Sequence, residues 1–404
     1  MTHPSPPASE FEAAAPPANL LLIVATTAAW SLSLLSYYAQ PQLLGPIMSD
    51  FELGEEAVGW LFSLENAALA LTILAAASPL ARRSRAQVAI AGGLLACAAN
   101  AASTFATSYE MLLVTRFLVG TGSGLIGAAG TASAASTRNP VRVFAIVQVT
   151  SSVIHNFEPS AIPFATVPFS SNGGFFLLAG ASLAIAPLFI WLQPPRKTRE
   201  TKLNLLSAPN RSLALVAMAA LFTFEVGQGG VWTFVAQIGE NIGLDEHSVG
   251  RTMTVTGMAG LFGGVVAAWL GGRFGTTGPI AIGIGLNVLA ACGLALSEDS
   301  NLYAFSLWLW TAAYTFAVPY LMGALASMDD LGRWVVASDG VWTLGDAVGP
   351  GVAGMLVERG GYLPLAGLSL VTGILCVFVM IGVVRRFEGK RRRALVRETT
   401  TPPS

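Results

Sequence analysis

Apolar stretches of bilayer-crossing length alternate along this chain with short polar breaks. A helix that spans the hydrocarbon needs about 20 mostly apolar residues. Twelve segments meet that need, near 19–44, 57–80, 86–106, 110–135, 143–167, 174–192, 212–237, 248–270, 279–296, 302–326, 334–357 and 362–384. The pattern predicts an all-α membrane protein of twelve transmembrane helices. The connections are short except for "QPPRKTRETKLNLLSAPNR" (193–211), which divides the chain into two six-helix halves. The expected organisation is a disordered tail (1–18), an N-terminal bundle (19–192), a linker (193–211), a C-terminal bundle (212–384) and a basic tail (385–404).

Composition supports this reading. Of 404 residues, 53% are hydrophobic and only 11% charged, against roughly 25% charged in soluble domains. The formal net charge of −1 gives no reason to expect a nucleic acid partner. Cys97, Cys292 and Cys376 lie singly in apolar runs, without metal-like spacing. The stretch 1–18 contains no Lys or Arg, so it lacks the basic start of a signal peptide. Basic residues do set an orientation, because cytoplasmic loops are enriched in Lys and Arg. With a cytoplasmic N-terminus, 19 of the 22 basic residues fall on the cytoplasmic side. Arg116 and Arg251 fall inside spans, and Arg359 alone falls outside. Both termini are therefore expected in the cytosol, in a bacterial inner membrane.

The halves repeat. "LGEEAVG" (53–59) returns as "LDEHSVG" (244–250), and the same offset sets "HNFEPSAIP" (155–163) beside "DAVGPGVAG" (346–354). His155 then falls on Asp346 and Pro159 on Pro350. Two matches at one offset indicate a parallel internal repeat. The fourth span, "LLVTRFLVGTGSGLIGA" (112–128), carries Arg116 followed by Gly120, Gly122 and Gly124. In this it resembles the major facilitator superfamily of secondary transporters. The loop "SPLARRSRAQ" (78–87) is similar to a degenerate form of that family's basic loop between spans 2 and 3, without its aspartate. The fifth span carries "EPSAIP" where the family's proton antiporters carry a Gly-Pro motif. The resemblance implies two pseudo-symmetric halves that rock about a midplane site, and a structural or proton-coupling role for Arg116.

Ionisable groups inside a span mark functional candidates, because each costs roughly 2.5–3.5 kcal/mol at the bilayer centre on insertion scales. His155, Glu158, Glu225 and Asp346 fall near the midplane, Glu65 and Arg116 in the outer half, and Asp339 nearer the cytosol. His155 and Glu158, at i and i+3, share a helix face that must turn away from lipid. A neutral imidazole and a carboxyl there could pass a proton, and Pro159 and Pro163 free upstream carbonyls where a cavity or neighbours can satisfy them. The plainer alternative is a buried pair that holds span 5 to its neighbour. Glu225, Gln228 and Trp232 form a stripe that could coordinate a solute or make an interhelical hydrogen bond. Glu65 is the expected counterion of Arg116. Trp342 shares a face with Asp346, while Tyr37 and Tyr314 offer hydroxyls. Trp308 and Trp310, near a span end, are expected to be interface anchors.

With one intramembrane histidine there is no paired-His metal site, and no GxxxxGK[ST] motif exists for ATP. No cofactor is expected. The reading is a proton-coupled transporter of a small organic solute, tilted towards uptake, acting as a lipid-embedded monomer. Efflux by proton antiport is the alternative within this class. A polytopic enzyme would need a nucleophile–base pair, and a transport-dead sensor usually adds a soluble output domain.

Overall fold

The computed structural model describes residues 19–80, 83–194, 208–329 and 333–400. The 1–18 tail, most of the 193–211 linker and the end of the basic tail (401–404) lie outside the described residues, as does the side chain of Asp339. Among the described residues the chain forms thirteen α-helices and no strand. They are α1 (Leu20–Phe51), α2 (Glu55–Leu80), α3 (Arg85–Ser103), α4 (Tyr109–Ala135), α5 (Pro140–Ala161), α6 (Pro163–Ile185), α7 (Arg211–Asn241), α8 (Glu246–Gly257), α9 (Ala259–Leu270), α10 (Thr277–Ala295), α11 (Ser300–Ala326), α12 (Arg333–Gly360) and α13 (Leu363–Thr400). A 3₁₀ turn, Ala186–Trp191, extends α6. Helices α8 and α9 make one crossing broken at Met258, so the crossings number twelve, in two pseudo-symmetric halves of six.

Among the described residues, ten of the twelve are long and apolar enough to cross a membrane. The other two are α5 and α12, the helices that carry His155, Glu158 and Asp346. Span 5 also ends sooner than the hydropathy pattern predicts. Helix α5 stops at Ala161 and Pro163 opens α6, because proline is well tolerated in the first turn of a helix. The offset of the sequence repeat recurs in the helix boundaries. Helix α4 begins at Tyr109 and α11 at Ser300, each 27 residues long. Both are capped from the preceding residue, the amide of Met111 donating to Ser108 Oγ (3.3 Å) and that of Leu302 to Asp299 Oδ1 (3.0 Å). Each cap satisfies a donor that the helix itself leaves open.

The chain divides into two compact units, residues 1–52 with 64–200, and residues 53–63 with 201–404. Helix α2 thus starts in the second unit and continues into the first. In the first unit α4 is the central element, flanked by α1, α2 and α3. Its closely spaced glycines make this possible. A Cβ at Gly122 would lie 2.6 Å from the Gly92 carbonyl oxygen of α3, and one at Gly124 2.7 Å from the Leu69 carbonyl oxygen of α2. Where α1 ends, the Asp50 carboxylate accepts bonds from Ser170 Oγ (2.7 Å), the Ser171 amide (3.0 Å) and Ser171 Oγ (2.5 Å). These bonds hold a break inside α6 at Ser170, where φ is 52°. Such a backbone angle is costly for a non-glycine residue.

In the second unit α7 crosses α12 at backbone contact. A Cβ on Gly349 would lie 2.7 Å from both the Gly230 nitrogen and the Val226 carbonyl oxygen, and one on Gly345 2.6 Å from Glu225 Cβ. Small residues at such a crossing replace the hydrophobic drive that lipid cannot supply. The apolar core of this unit includes Phe224, Ile280, Ile284, Leu321, Trp334 and Met380, with Trp334 Nε1 donating to the Pro209 carbonyl (2.8 Å). Large apolar side chains such as Leu71, Phe157, Val265 and Phe378 are exposed, as a hydrocarbon solvent permits.

The crossing yields a prediction. Gly349→Ala should destabilise the protein by about 1–3 kcal/mol through overpacking, whereas Gly264→Ala, with open space around its Cβ, should be near neutral. Thermal unfolding in detergent compares them, and equal melting temperatures would refute a backbone-tight crossing.

Candidate transport sites

Each unit contains a buried polar cluster, and most candidates from the sequence belong to one of them. In the first unit Arg116 is fully buried at the centre of a fixed network. Its Nη2 donates to Asn100 Oδ1 (2.8 Å) and Ser103 Oγ (2.6 Å), and Nη1 lies 3.8 Å from Glu65 Oε2. The guanidinium also covers the Phe175 ring at 4.6 Å. Glu65 accepts a hydrogen bond from Ser36 Oγ. The expected Arg116–Glu65 partnership is present, at the long end of ion-pair distance. Next to it the amides of Gln40 and Asn66 bond reciprocally (2.9 and 3.2 Å).

Helix α5 turns Ser151, His155 and Glu158 inward and Val149, Val153 and Phe157 outward, a helical period that keeps polar groups from lipid. His155 and Glu158 do not bond to each other. His155 Nε2 faces the Ser31 carbonyl at 3.2 Å. Since a carbonyl only accepts, this nitrogen carries the proton. The ring stacks on Tyr38 at 4.1 Å, and Tyr38 meets Tyr37 edge-on at 5.4 Å. Both Glu158 carboxyl oxygens are buried without a hydrogen-bond partner among the described residues. The simple proton-passing pair is thus replaced by two separately placed groups, an imidazole anchored to α1 and a carboxyl left unpaired.

Pro163 acts as expected, with a partner the sequence did not reveal. Pro163 has no N–H to give to the Pro159 carbonyl four residues back. Gln42 of α1 fills the gap, its Nε2 donating to Pro159 O at 2.5 Å.

In the second unit Glu225 is fully buried. Its Oε2 accepts from the Tyr314 hydroxyl at 3.2 Å, while Oε1 has no partner among the described residues. Asp346 lies close enough for the two carboxyls to interact electrostatically. The α7–α12 crossing creates this proximity, since Asp346 backbone atoms lie 3.1 Å from where a Gly229 Cβ would be. Tyr314 stacks with Trp310 (6.3 Å, 17°) and with Phe224 (6.3 Å, 22°), and meets Trp342 edge-on (5.8 Å, 70°). Trp310 is buried, contrary to the interface-anchor expectation, because its ring turns onto Tyr314. Trp308 is exposed. Gln228 forms an interhelical amide pair with Asn287 (2.8 and 3.2 Å), and Asn287 also donates to the Trp310 carbonyl (3.0 Å). Trp232 follows Gln228 on the same face of α7 and is half-buried.

Sequence reasoning missed Ser36, Gln42, Asn66, Asn100 and Asn287. Their signal was available: uncharged amides and hydroxyls within apolar spans need interhelical partners just as charges do.

Residues 21–328 match the family model of the Major Facilitator Superfamily. The chain belongs to this superfamily. As a superfamily member it is a transporter rather than an enzyme, and a multi-pass integral membrane protein. Solved structures of the same fold include the peptide transporter POT in complex with sulfate (TM-score 0.72, 15% identity, covering 94% of this chain and 99% of that one). The nucleoside transporter NupG gives a TM-score of 0.71 at 12% identity, over 91% and 99%. A bacterial homologue of the human lysosomal transporter Spinster, inward-facing and unoccupied, gives 0.68 at 14% identity, over 94% and 97%. At such identities the likeness is one of fold. No curated protein matches the sequence.

Two predictions concern the first unit of this superfamily member. Gln42→Leu should cost about 1–3 kcal/mol by orphaning a buried carbonyl. Pro163→Ala restores an amide able to reach it, so the double variant should lose less than the sum of the two. Strict additivity in thermal unfolding would separate the amide from the proline. Arg116→Lys should insert but lose most transport, since one ammonium cannot reproduce the forked contacts to Asn100 and Ser103. Wild-type uptake by the Lys variant would make Arg116 a spectator.

Proposed function

We propose that the protein is a proton-coupled secondary transporter that takes up a small organic solute by alternating access. What carries this reading is the state of two carboxyls. Glu158 in one unit and Glu225 in the other are buried, and three of their four oxygens have no partner among the described residues. An uncompensated buried charge costs several kcal/mol, so such oxygens call for a proton or a cationic ligand. Glu65 provides the contrast, because Arg116 lies 3.8 Å from its Oε2 and Ser36 donates to its Oε1. A carboxyl that gains and loses a proton as access alternates can link solute movement to a proton gradient.

The direction rests on α5. It presents Glu158-Pro159 where, by resemblance, antiporters of the superfamily carry a Gly-Pro motif. Both termini are assigned to the cytosol of a bacterial inner membrane by the distribution of Lys and Arg.

Glu158→Gln and Glu225→Gln mimic the protonated acid permanently. In proteoliposomes each should abolish pH-driven accumulation, with solute counterflow surviving in Glu158→Gln, and Asp346→Asn should show a milder coupling defect. Full pH-driven accumulation by all three variants would end the coupling hypothesis. For topology, Glu200→Cys should be protected from an impermeant maleimide in intact cells and Asp245→Cys labelled. The reverse pattern would overturn the assignment.

A further inference from the structure

We propose that the solute carries an ammonium group, permanent or protonated, received in the second unit by Glu225, Asp346 and the rings of Trp310, Tyr314 and Trp342. The proposal rests on the transporter reading and names its substrate class.

Charge balance is the first argument. Glu225 and Asp346 neighbour one another across the α7–α12 crossing, where a Gly229 Cβ would lie 3.1 Å from the Asp346 backbone. The arginines of this unit for which side chains are described lie towards helix ends and loops. Arg251 and Arg273 are exposed, Arg333 is bonded to Asp329 at 2.8 Å, and Arg359 lies 3.7 Å from Glu56. Among the described residues, the cations of this unit therefore stand away from its acidic interior.

The rings supply the second. The Tyr314 ring lies 6.3 Å from those of Trp310 and Phe224 at small interplanar angles, and Trp342 meets it edge-on at 70°. Such walls are suited to a cation, whose charge is attracted to the negative faces of aromatic rings. Burial is graded along the site: Tyr314, Trp342 and Asp346 are half-buried, while Trp310 and Glu225 are buried. At the buried end Glu225 Oε1 and Trp310 Nε1 both lack a partner among the described residues. At that end the site thus offers a carboxyl oxygen and an indole donor.

Other solute classes fit less well. An anion would meet two carboxyls. A polyhydroxylated neutral solute needs many free donors and acceptors, yet the amides of Gln228 and Asn287 are bonded to each other. A hard divalent ion needs about six oxygen ligands, where this site offers two carboxyls and a phenol among rings. If the ammonium is held at Glu225 and Asp346, Glu158 in the first unit is left to carry the coupling proton.

The test uses the full chain in nanodiscs and three probes of similar size: benzyltrimethylammonium, benzyl alcohol and benzoate. Titration calorimetry should show saturable binding of the cation, at least about tenfold tighter than of the alcohol, and none of benzoate. Asp346→Asn and Glu225→Gln should each weaken cation binding by about tenfold or more. Trp342→Leu should weaken it several-fold, with recovery in Trp342→Phe, and melting temperatures check that each variant is folded. Benzoate or benzyl alcohol binding as tightly as the cation, or no saturable binding of any probe, overturns the proposal. Cation binding that persists alongside a fully coupled Glu158→Gln protein would refute the coupling scheme and leave this inference standing. Loss of coupling in that variant without cation binding would do the opposite.

Discussion

Within a bilayer a hydrogen-bonding group that is not met by protein has no water to turn to, and this constraint organises the molecule. Its effects are visible at every scale. Pro163 removes one amide, and Gln42 reaches from α1 to the carbonyl left behind. Arg116 brings a charge into the first unit, and Asn100, Ser103 and Glu65 from two neighbouring helices converge on it. Gln40 with Asn66, and Gln228 with Asn287, close amide pairs that link helices within each unit. Against this background Glu158, with neither carboxyl oxygen met among the described residues, and Glu225, with one unmet, stand out among the buried carboxyls as places where something from outside the chain is wanted.

Much of the architecture was legible in the sequence because lipid is an unforgiving solvent. The hydropathy pattern marked twelve crossings, ten of them long and apolar enough by themselves, and two short matches at one spacing anticipated an offset that recurs in helix starts and caps. The pattern was blind where chain geometry rather than hydropathy decides. The break at Met258 leaves a continuous apolar run. The early end of α5 depends on which of two prolines opens the next helix, and hydropathy does not distinguish them.

The candidate sites were legible in part. Charged side chains announce themselves by their cost, so Glu65, Arg116, His155, Glu158, Glu225 and Asp346 could be singled out from spacing and depth. Their partners could not, since pairing joins residues far apart in the chain: Ser31 lies 124 positions from His155. Trp310 was misjudged because proximity to a span end says nothing about which way a ring turns. The role of the glycines near Glu225 and Asp346 was equally invisible, since they permit two backbones to touch and so bring two carboxyls within range of each other.

The weak hydropathy of α5 and α12 has a consequence for how the protein is made. A segment entering the membrane from the ribosome partitions according to its own residues, and carboxyls and an imidazole oppose that step. The ten apolar helices can enter by themselves. Helices α5 and α12 fall short of that apolarity, and each is followed almost at once by a strongly apolar segment, Pro163–Trp191 in one case and Leu363–Lys390 in the other. Synthesis therefore favours their delivery as hairpins, in which the second arm draws the first into the bilayer. The residues that make these helices useful to the finished protein are the ones that make them dependent on their neighbours during its biogenesis.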